Sequence, residues 1–280
     1  MSNYNSQVTR RRLLGCLAAG SLQLVTQTRP AVAAETQLTR AQKEEFLLKA
    51  KVIKTQAAPE GITETLRATL NDGTLTHDAS IQRIDVLVPR FDTAVGTELN
   101  FKDSWKFNVA AYKLDRLLGL NMVPVTVERG HGGSPGSFTW WVDDVVMDET
   151  ERLKKKQEAP DTDAWNNQMH IVRVFDQLIF NTDRNLGNLL IDKNWQIWMI
   201  DHSRAFRTLT SLREPKNLER CDQGLLEKLK QLDTALLKQE LGKYLTATEI
   251  RGLLARRDRI VKAFAEKGPS AMYQSPRRPD

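Results

Sequence analysis

Residues 181–206, NTDRNLGNLLIDKNWQIWMIDHSRAF, constrain the fold more than any other stretch of this chain. Two apolar runs, LLID and WQIWMI, flank Lys193-Asn194, a pattern that predicts a β-hairpin turning at those two residues. Asp183 and Asn188 stand just before the first run, and Asp201 ends the second. A hairpin returns its two ends to one edge, so Asn188 and Asp201 are expected side by side. Oxygen ligands held that way suit a hard divalent cation such as Mg²⁺.

The rest of the chain divides by character. Its 280 residues are 40% hydrophobic and 27% charged, an ordinary globular profile without an internal repeat. Residues 1–34 read as an export leader. Thr9-Arg10-Arg11-Arg12-Leu13-Leu14 fits a twin-arginine pattern, an apolar run continues to about Val25, and Ala31-Val32-Ala33 is a small-residue cleavage site. The expected location is therefore periplasmic or extracytoplasmic, or membrane-tethered where the leader is left uncleaved. Residues 1–33 carry four Arg and no acid, so the net charge of +6 falls to +2 beyond them and gives no reason to expect nucleic-acid binding. Past the leader only Cys221 remains, which excludes an internal disulfide and makes a structural zinc site an unsuitable reading.

Residues 35–147 predict a mixed strand-and-helix unit. A short helical pattern lies around Phe46–Val52, and Asn71-Asp72-Gly73 marks a tight turn between two strands, the second reading on through ASIQRIDVLV. In SWKFNVAAYKLDRLLGL, apolar residues recur every three and four positions between a capping Ser104 and a terminating Gly119, which predicts a helix over 104–120. MVPVTVE and SFTWWVDDVVM read as strands, separated by a glycine-rich stretch, RGHGGSPG, expected as a loop, either a solvated linker or a lid. The segment 148–163 reads as a charged loop. Residues 148–268 predict a mainly helical unit that holds the hairpin. Met169, Val172, Phe175, Leu178 and Ile179 form one apolar face there, and Thr246 with Glu249 forms a capping box. Residues 269–280 are expected as a disordered tail.

Phosphoryl transfer asks a protein for a carboxylate that orients or deprotonates the acceptor, and for oxygen ligands to Mg²⁺ on the phosphates. Protein kinases place these as D-x-x-x-x-N, a hairpin and a metal-binding Asp, the order found here. NTDRNLGNLLI…MIDHSRAF moreover resembles the active-site segment of the phosphatidylinositol 3/4-kinase-like group, especially type II phosphatidylinositol 4-kinases. NVAAYKLDRLLGLNMVPVTVER, residues 108–129, is similar to that group's small-lobe helix and following strand. The resemblance implies an α+β, two-lobed protein-kinase-like fold with ATP between the lobes. It also implies Asp183 as catalytic base and Asn188 and Asp201 as Mg²⁺ ligands.

The sequence departs from that pattern at the small-lobe Lys–Glu pair. No Lys occurs between Lys54 and Lys102; Gln82 and Arg83 stand where the Lys is expected, and Asn108 stands in place of the Glu. Gln82, Arg83 and Asn108 are therefore the candidate nucleotide-contacting residues. A neutral Gln82–Asn108 hydrogen bond is a coherent double replacement, since one unpaired buried charge would be costly. Arg83 is the alternative source of positive charge. Three readings stay open: an ATP- and Mg²⁺-dependent phosphotransferase with a protein, lipid or small-molecule acceptor; a nucleotide-binding pseudokinase; and a transferase of AMP.

Overall fold

A computed structural model describes residues 38–57, 65–93, 96–276 and 278. The leader expected over residues 1–34 lies outside the described residues.

The first lobe is built on a five-stranded antiparallel sheet. Helix α1 (Arg40–Lys49) opens it, started by a Thr39–Gln42 capping box. Strands β1 (Lys51–Ala57), β2 (Leu66–Asn71) and β3 (Thr76–Gln82) follow. The helical pattern expected around Phe46–Val52 thus starts earlier and gives way to a strand at Lys51. The β2–β3 turn falls at the predicted Asn-Asp-Gly, where the Asp72 carboxylate accepts the N–H groups of Thr74 and Leu75.

The long strand read through ASIQRIDVLV breaks at Arg83 and Ile84. Beyond the break, β4 (Asp85–Thr93) and β5 (Gly96–Ser104) pair only with each other as a projecting ribbon. Helix α2 (Trp105–Leu118) follows at once. Ser104 caps it and Gly119, in the left-handed region at φ 64°, ends it, as the sequence predicts. Its Phe107, Ala110, Ala111, Leu114 and Leu118 are buried in the core.

Strands β6 (Thr126–His131) and β7 (Ser134–Trp140) complete the sheet in the order β1-β2-β3-β7-β6. The glycine-rich stretch expected as a loop or lid is the hairpin joining them. Gly130 pairs with Pro135 and His131 with Ser134, so only Gly132 and Gly133 turn, both with positive φ. Gly136 serves close approach: a Cβ there would meet the Gln82 carbonyl oxygen at 2.6 Å. Trp140 is core, stacked on His77 with ring centroids 3.6 Å apart.

The second lobe begins with β8 (Val145–Asp148), which pairs with β9 (Leu189–Asp192); β9 pairs in turn with β10 (Ile197–Met199). The predicted hairpin is therefore two strands of a three-stranded sheet. Its turn spans 193–196 and is held by the Asp192 carboxylate, which accepts from the Asn194 and Gln196 N–H groups. Helix α3 (Glu149–Lys154) stands where a charged loop was expected. The Asp148 cap and a Glu149–Arg152 ion pair at 2.6 Å explain why so polar a segment is helical.

Helix α4 (Thr162–Ile179) buries Val172, Phe175, Leu178 and Ile179. Strand β11 (Cys221–Asp222) leads into α5 (Gln223–Gln231), α6 (Thr234–Leu241) and α7 (Ala247–Lys267), the last with the predicted Thr246–Glu249 box. Residues 269–276 and 278 are packed where a disordered tail was expected. Met272 and Tyr273 form β12, parallel to β11, and the Tyr273 hydroxyl donates to the Asn167 carbonyl. Arg278 donates to the Ile197 and Asn121 carbonyls. No helix among the described residues is long and apolar enough to cross a membrane.

Candidate active site

Helix α4 ends on Phe180 in the left-handed conformation, which turns the chain into the loop carrying Asp183. Asn181 shapes this loop by accepting the Asp183 N–H at 3.0 Å. The Asp183 carbonyl accepts from the Asn185 N–H at 2.9 Å and from Asn188 Nδ2 at 3.3 Å. That last bond orients the Asn188 amide: its NH₂ faces the loop, so its oxygen is turned away as a donor for a cation. The far edge of the hairpin meets it, because the Ile200 N–H donates to the Asn188 carbonyl at 3.1 Å. Asp201 follows, in the left-handed region at φ 53°. For a non-glycine residue that conformation carries strain, held by the hydrogen bonds on either side. Asp201 Oδ1 has only a long 3.5 Å contact from the Ser203 N–H.

One guanidinium holds loop and hairpin in register. Arg184 pairs with Asp176 at 3.0 Å and donates to the carbonyls of Asn188 and Ile200 at 3.0 and 2.8 Å. Its Nη2 also donates to His202 Nε2 at 3.0 Å. Arg184 has no acceptor atoms, so Nε2 accepts and the neutral ring carries its proton on Nδ1. Burial, and then the Arg184 charge, hold His202 well below the usual imidazole range. His202 is thus a buried structural group beside the site.

The first lobe closes on this segment through a seam. The His202 N–H donates to Asn108 Oδ1 at 2.7 Å, the Ser104 N–H to the Ser203 carbonyl at 2.8 Å, and Arg207 to the Lys102 carbonyl at 2.5 Å. The expected neutral bond is present: Asn108 Nδ2 donates to Gln82 Oε1, and Gln82 Nε2 donates to Thr65. Both amides are buried and engaged with protein partners. Arg83 is elsewhere. Its guanidinium lies by Gly132, where a Cβ would be 3.3 Å from Nη1. The structure thus joins Gln82 to Asn108 and keeps Arg83 apart from them.

Two further residues, which sequence reasoning missed, complete the site. Arg204 Nε donates to Asp103 Oδ2 at 2.7 Å, and its Nη1 lies 3.4 Å from Asp183 Oδ2. Burial pushes the Asp183 carboxyl above its usual range; Arg204 opposes this, and the Asp201 and Asp103 charges add to it. Asp103 gave no motif signal, because it lies next to the end of a strand of an unforeseen ribbon. Arg204 had one: it follows Asp201 by three residues in the segment that carries the motif.

Two hard oxygen donors, an oriented amide and a carboxylate with one long contact, fit Mg²⁺ held together with phosphate and water. Among the described residues there is no group of three His, Cys, Asp or Glu side chains that could hold a metal ion by themselves.

No protein-family model matches this sequence, and no curated protein does. Solved structures do match. A hydra Fam20 structure with sugar superposes with a TM-score of 0.62 at 16% identity, over 86% of this chain and 94% of that one. A Golgi casein kinase structure with Mn/ADP bound gives 0.55 at 14% identity, over 85% and 80%. At such identities the likeness speaks for the fold alone, and it does not single out the phosphatidylinositol kinases. The chain has a two-lobed, α+β, atypical protein-kinase-like fold.

Proposed function

We propose that this chain is an ATP- and Mg²⁺-dependent phosphotransferase of the atypical, phosphatidylinositol 3/4-kinase-like type, acting on a hydroxyl acceptor. The observation that carries this reading is the convergence of Asp183, Asn188 and Asp201. The Ile200–Asn188 backbone bond unites the two ligand positions, and the Asn188–Asp183 bond ties them to the candidate base. Asp183 accepts the acceptor's proton; its half-buried carboxyl, raised above the ordinary carboxylate range, is the better base for being raised. Asn188 and Asp201 would hold Mg²⁺, which neutralises charge on the phosphates. Arg184 and Asn181 keep these groups in place. The bound Mn/ADP of the casein kinase structure supports a nucleotide and a divalent ion as ligands of this fold. The leader-like residues 1–34 support an exported site of action.

One observation favours a second reading, a pseudokinase that binds nucleotide without turnover. The Gln82–Asn108 pair is neutral and satisfied, so it offers no charge to phosphates. A single comparison separates the two. The full chain is melted with Mg²⁺, with ATP and with both, then again as Asp201→Asn, and turnover is measured for wild type and Asp183→Ala. A ligand at 100 times its Kd stabilises by about 2.7 kcal/mol, several degrees at this size. The phosphotransferase reading expects a shift that needs both ligands and is lost in Asp201→Asn, with turnover lost and binding kept in Asp183→Ala. Binding without turnover in the wild type identifies the pseudokinase; no shift with any nucleotide sinks both readings.

A further inference from the structure

If the small lobe brings no lysine to the phosphates, some other group must meet their charge or the site cannot work. Among the described residues the cations near Asp183 and Asp201 are few. Arg184 is committed to Asp176, two backbone carbonyls and His202. Lys102 pairs with Glu249 at 2.8 Å and lies over the Phe107 ring. Lys106 pairs with Asp85 at 2.7 Å. Arg83 lies at the β6–β7 turn.

Arg204 differs in geometry. Its backbone carbonyl is fixed by the Thr182 hydroxyl at 2.9 Å, and its guanidinium lies over the Phe101 ring at 5.5 Å. Nε alone makes a hydrogen bond, to Asp103. That leaves the outer Nη edge facing the Asp183 carboxylate without a hydrogen bond to it, at 3.4 Å. Asp103 is 1% exposed, and its Oδ1 is buried without a hydrogen-bond partner. A buried carboxylate in that state is costly and persists only beside a fixed positive charge. Asp103 and Phe101 therefore hold one edge and one face of the guanidinium, while the opposite edge points at the candidate base.

We propose that Arg204 is the cation that meets the transferring phosphoryl group, taking over charge stabilisation from the absent small-lobe lysine, with Asp103 as the residue that positions it. The proposal rests on the phosphotransferase reading. In the transfer the acceptor oxygen bonds to the γ-phosphorus while the bond from phosphorus to the ADP oxygen breaks. ADP leaves with that electron pair, and the acceptor's proton passes to Asp183. Negative charge spreads over the three equatorial oxygens of the group in flight, next to the carboxylate that takes the proton. Arg204 reaches this place without moving its backbone. Its planar fork can give two N–H bonds to phosphoryl oxygens, which an ammonium cannot reproduce. Asp183 and Arg204 would part as the phosphoryl group enters between them.

The test uses the full chain as wild type, Arg204→Gln and Arg204→Lys. Affinity for Mg²⁺–ADP and for a Mg²⁺-bound non-hydrolysable ATP analogue is measured by calorimetry. Phosphoryl loss from ATP, to water or to the chain itself, is followed alongside, so no acceptor need be known. We expect ADP affinity to change less than about 3-fold in both variants, since ADP lacks the group Arg204 meets. Phosphoryl loss should fall on the order of 10²–10³-fold in Arg204→Gln, the range for removing one preorganised donor. Arg204→Lys, which keeps the charge and the fold but not the fork, should fall in between. Wild-type turnover in Arg204→Gln overturns the proposal, as does an equal loss of ADP and analogue binding in both variants. A wild type that binds nucleotide without any phosphoryl loss, or binds none, overturns the phosphotransferase reading and this proposal with it.

Discussion

The neutral Gln82–Asn108 pair makes a quantitative prediction about charge. Both side chains are buried, and their amides are linked to Thr65 on one side and the His202 N–H on the other. Gln82→Lys alone places an ammonium where only an amide and a hydroxyl can receive it. An unpaired buried charge costs about 3–5 kcal/mol. Asn108→Glu alone keeps an acceptor for the His202 N–H but removes the donor to Gln82 Oε1, at about 1–3 kcal/mol. Made together, the two changes create an ion pair at the same place, and each relieves the defect of the other. The double variant should be more stable than the sum of the single effects by about 2–3 kcal/mol, the upper part of the range for contacting residues. Equilibrium urea unfolding of the four proteins, followed by far-ultraviolet circular dichroism at a common m-value, reads this coupling. Additivity within about 0.5 kcal/mol, the behaviour of independent sites, would refute the argument that the two neutral residues form one unit.

Other expectations follow from particular contacts. Gly136→Ala forces a Cβ to within 2.6 Å of the Gln82 carbonyl; we expect a loss of about 1–3 kcal/mol and a lowered melting midpoint, and an unchanged midpoint would show that β3 and β7 can separate there. Arg278→Ala removes charged hydrogen bonds to the Ile197 and Asn121 carbonyls and should cost about 2–3 kcal/mol; a disordered tail would leave the midpoint where it was. In the proposed reaction Asp183 must be ionised to act as base, and its raised pKa means that it takes up its proton at a higher pH than an ordinary carboxylate. The acid limb of kcat/KM should therefore lie above the ordinary carboxylate range. Because Arg204 holds the pKa down, Arg204→Gln should move the limb to still higher pH, which the pH profile of its residual activity measures; a limb moved to lower pH refutes the Asp183–Arg204 contact as the cause.

Local signals were read well where the chain's own chemistry decides the structure. Ser104 and Gly119 delimit α2, Thr246 and Glu249 open α7, and Asn71-Asp72-Gly73 turns β2 into β3, because capping and turn geometry are settled within a few residues. Signals failed where partners lie far along the chain. The segment 149–154 looked like a loop because its apolar content is low; the Asp148 cap and Glu149–Arg152 pair are local, but Arg152 also packs over Trp165, thirteen residues on. The tail looked disordered because Arg278 is a polar residue in a polar stretch, yet its partners are residues 121 and 197. The ribbon β4–β5 was read as the end of a longer strand, since an alternating pattern does not mark where a strand leaves its sheet.

The site divides in the same way. Asp183, Asn188 and Asp201 were legible as an ordered set because a hairpin is a local object, and its spacing alone brings its ends together. The Gln82–Asn108 bond was legible as a joint absence of opposite charges. Asp103 and Arg204 were not, since their relation joins the base of the β4–β5 ribbon to the segment after the β9–β10 hairpin, and only the closure of one lobe on the other creates it. Sequence by itself determined which oxygens are available, through the spacing of a turn. Tertiary structure alone decided which cation stands opposite them, because an ion pair between distant residues depends on burial and approach and leaves no periodic trace in the chain.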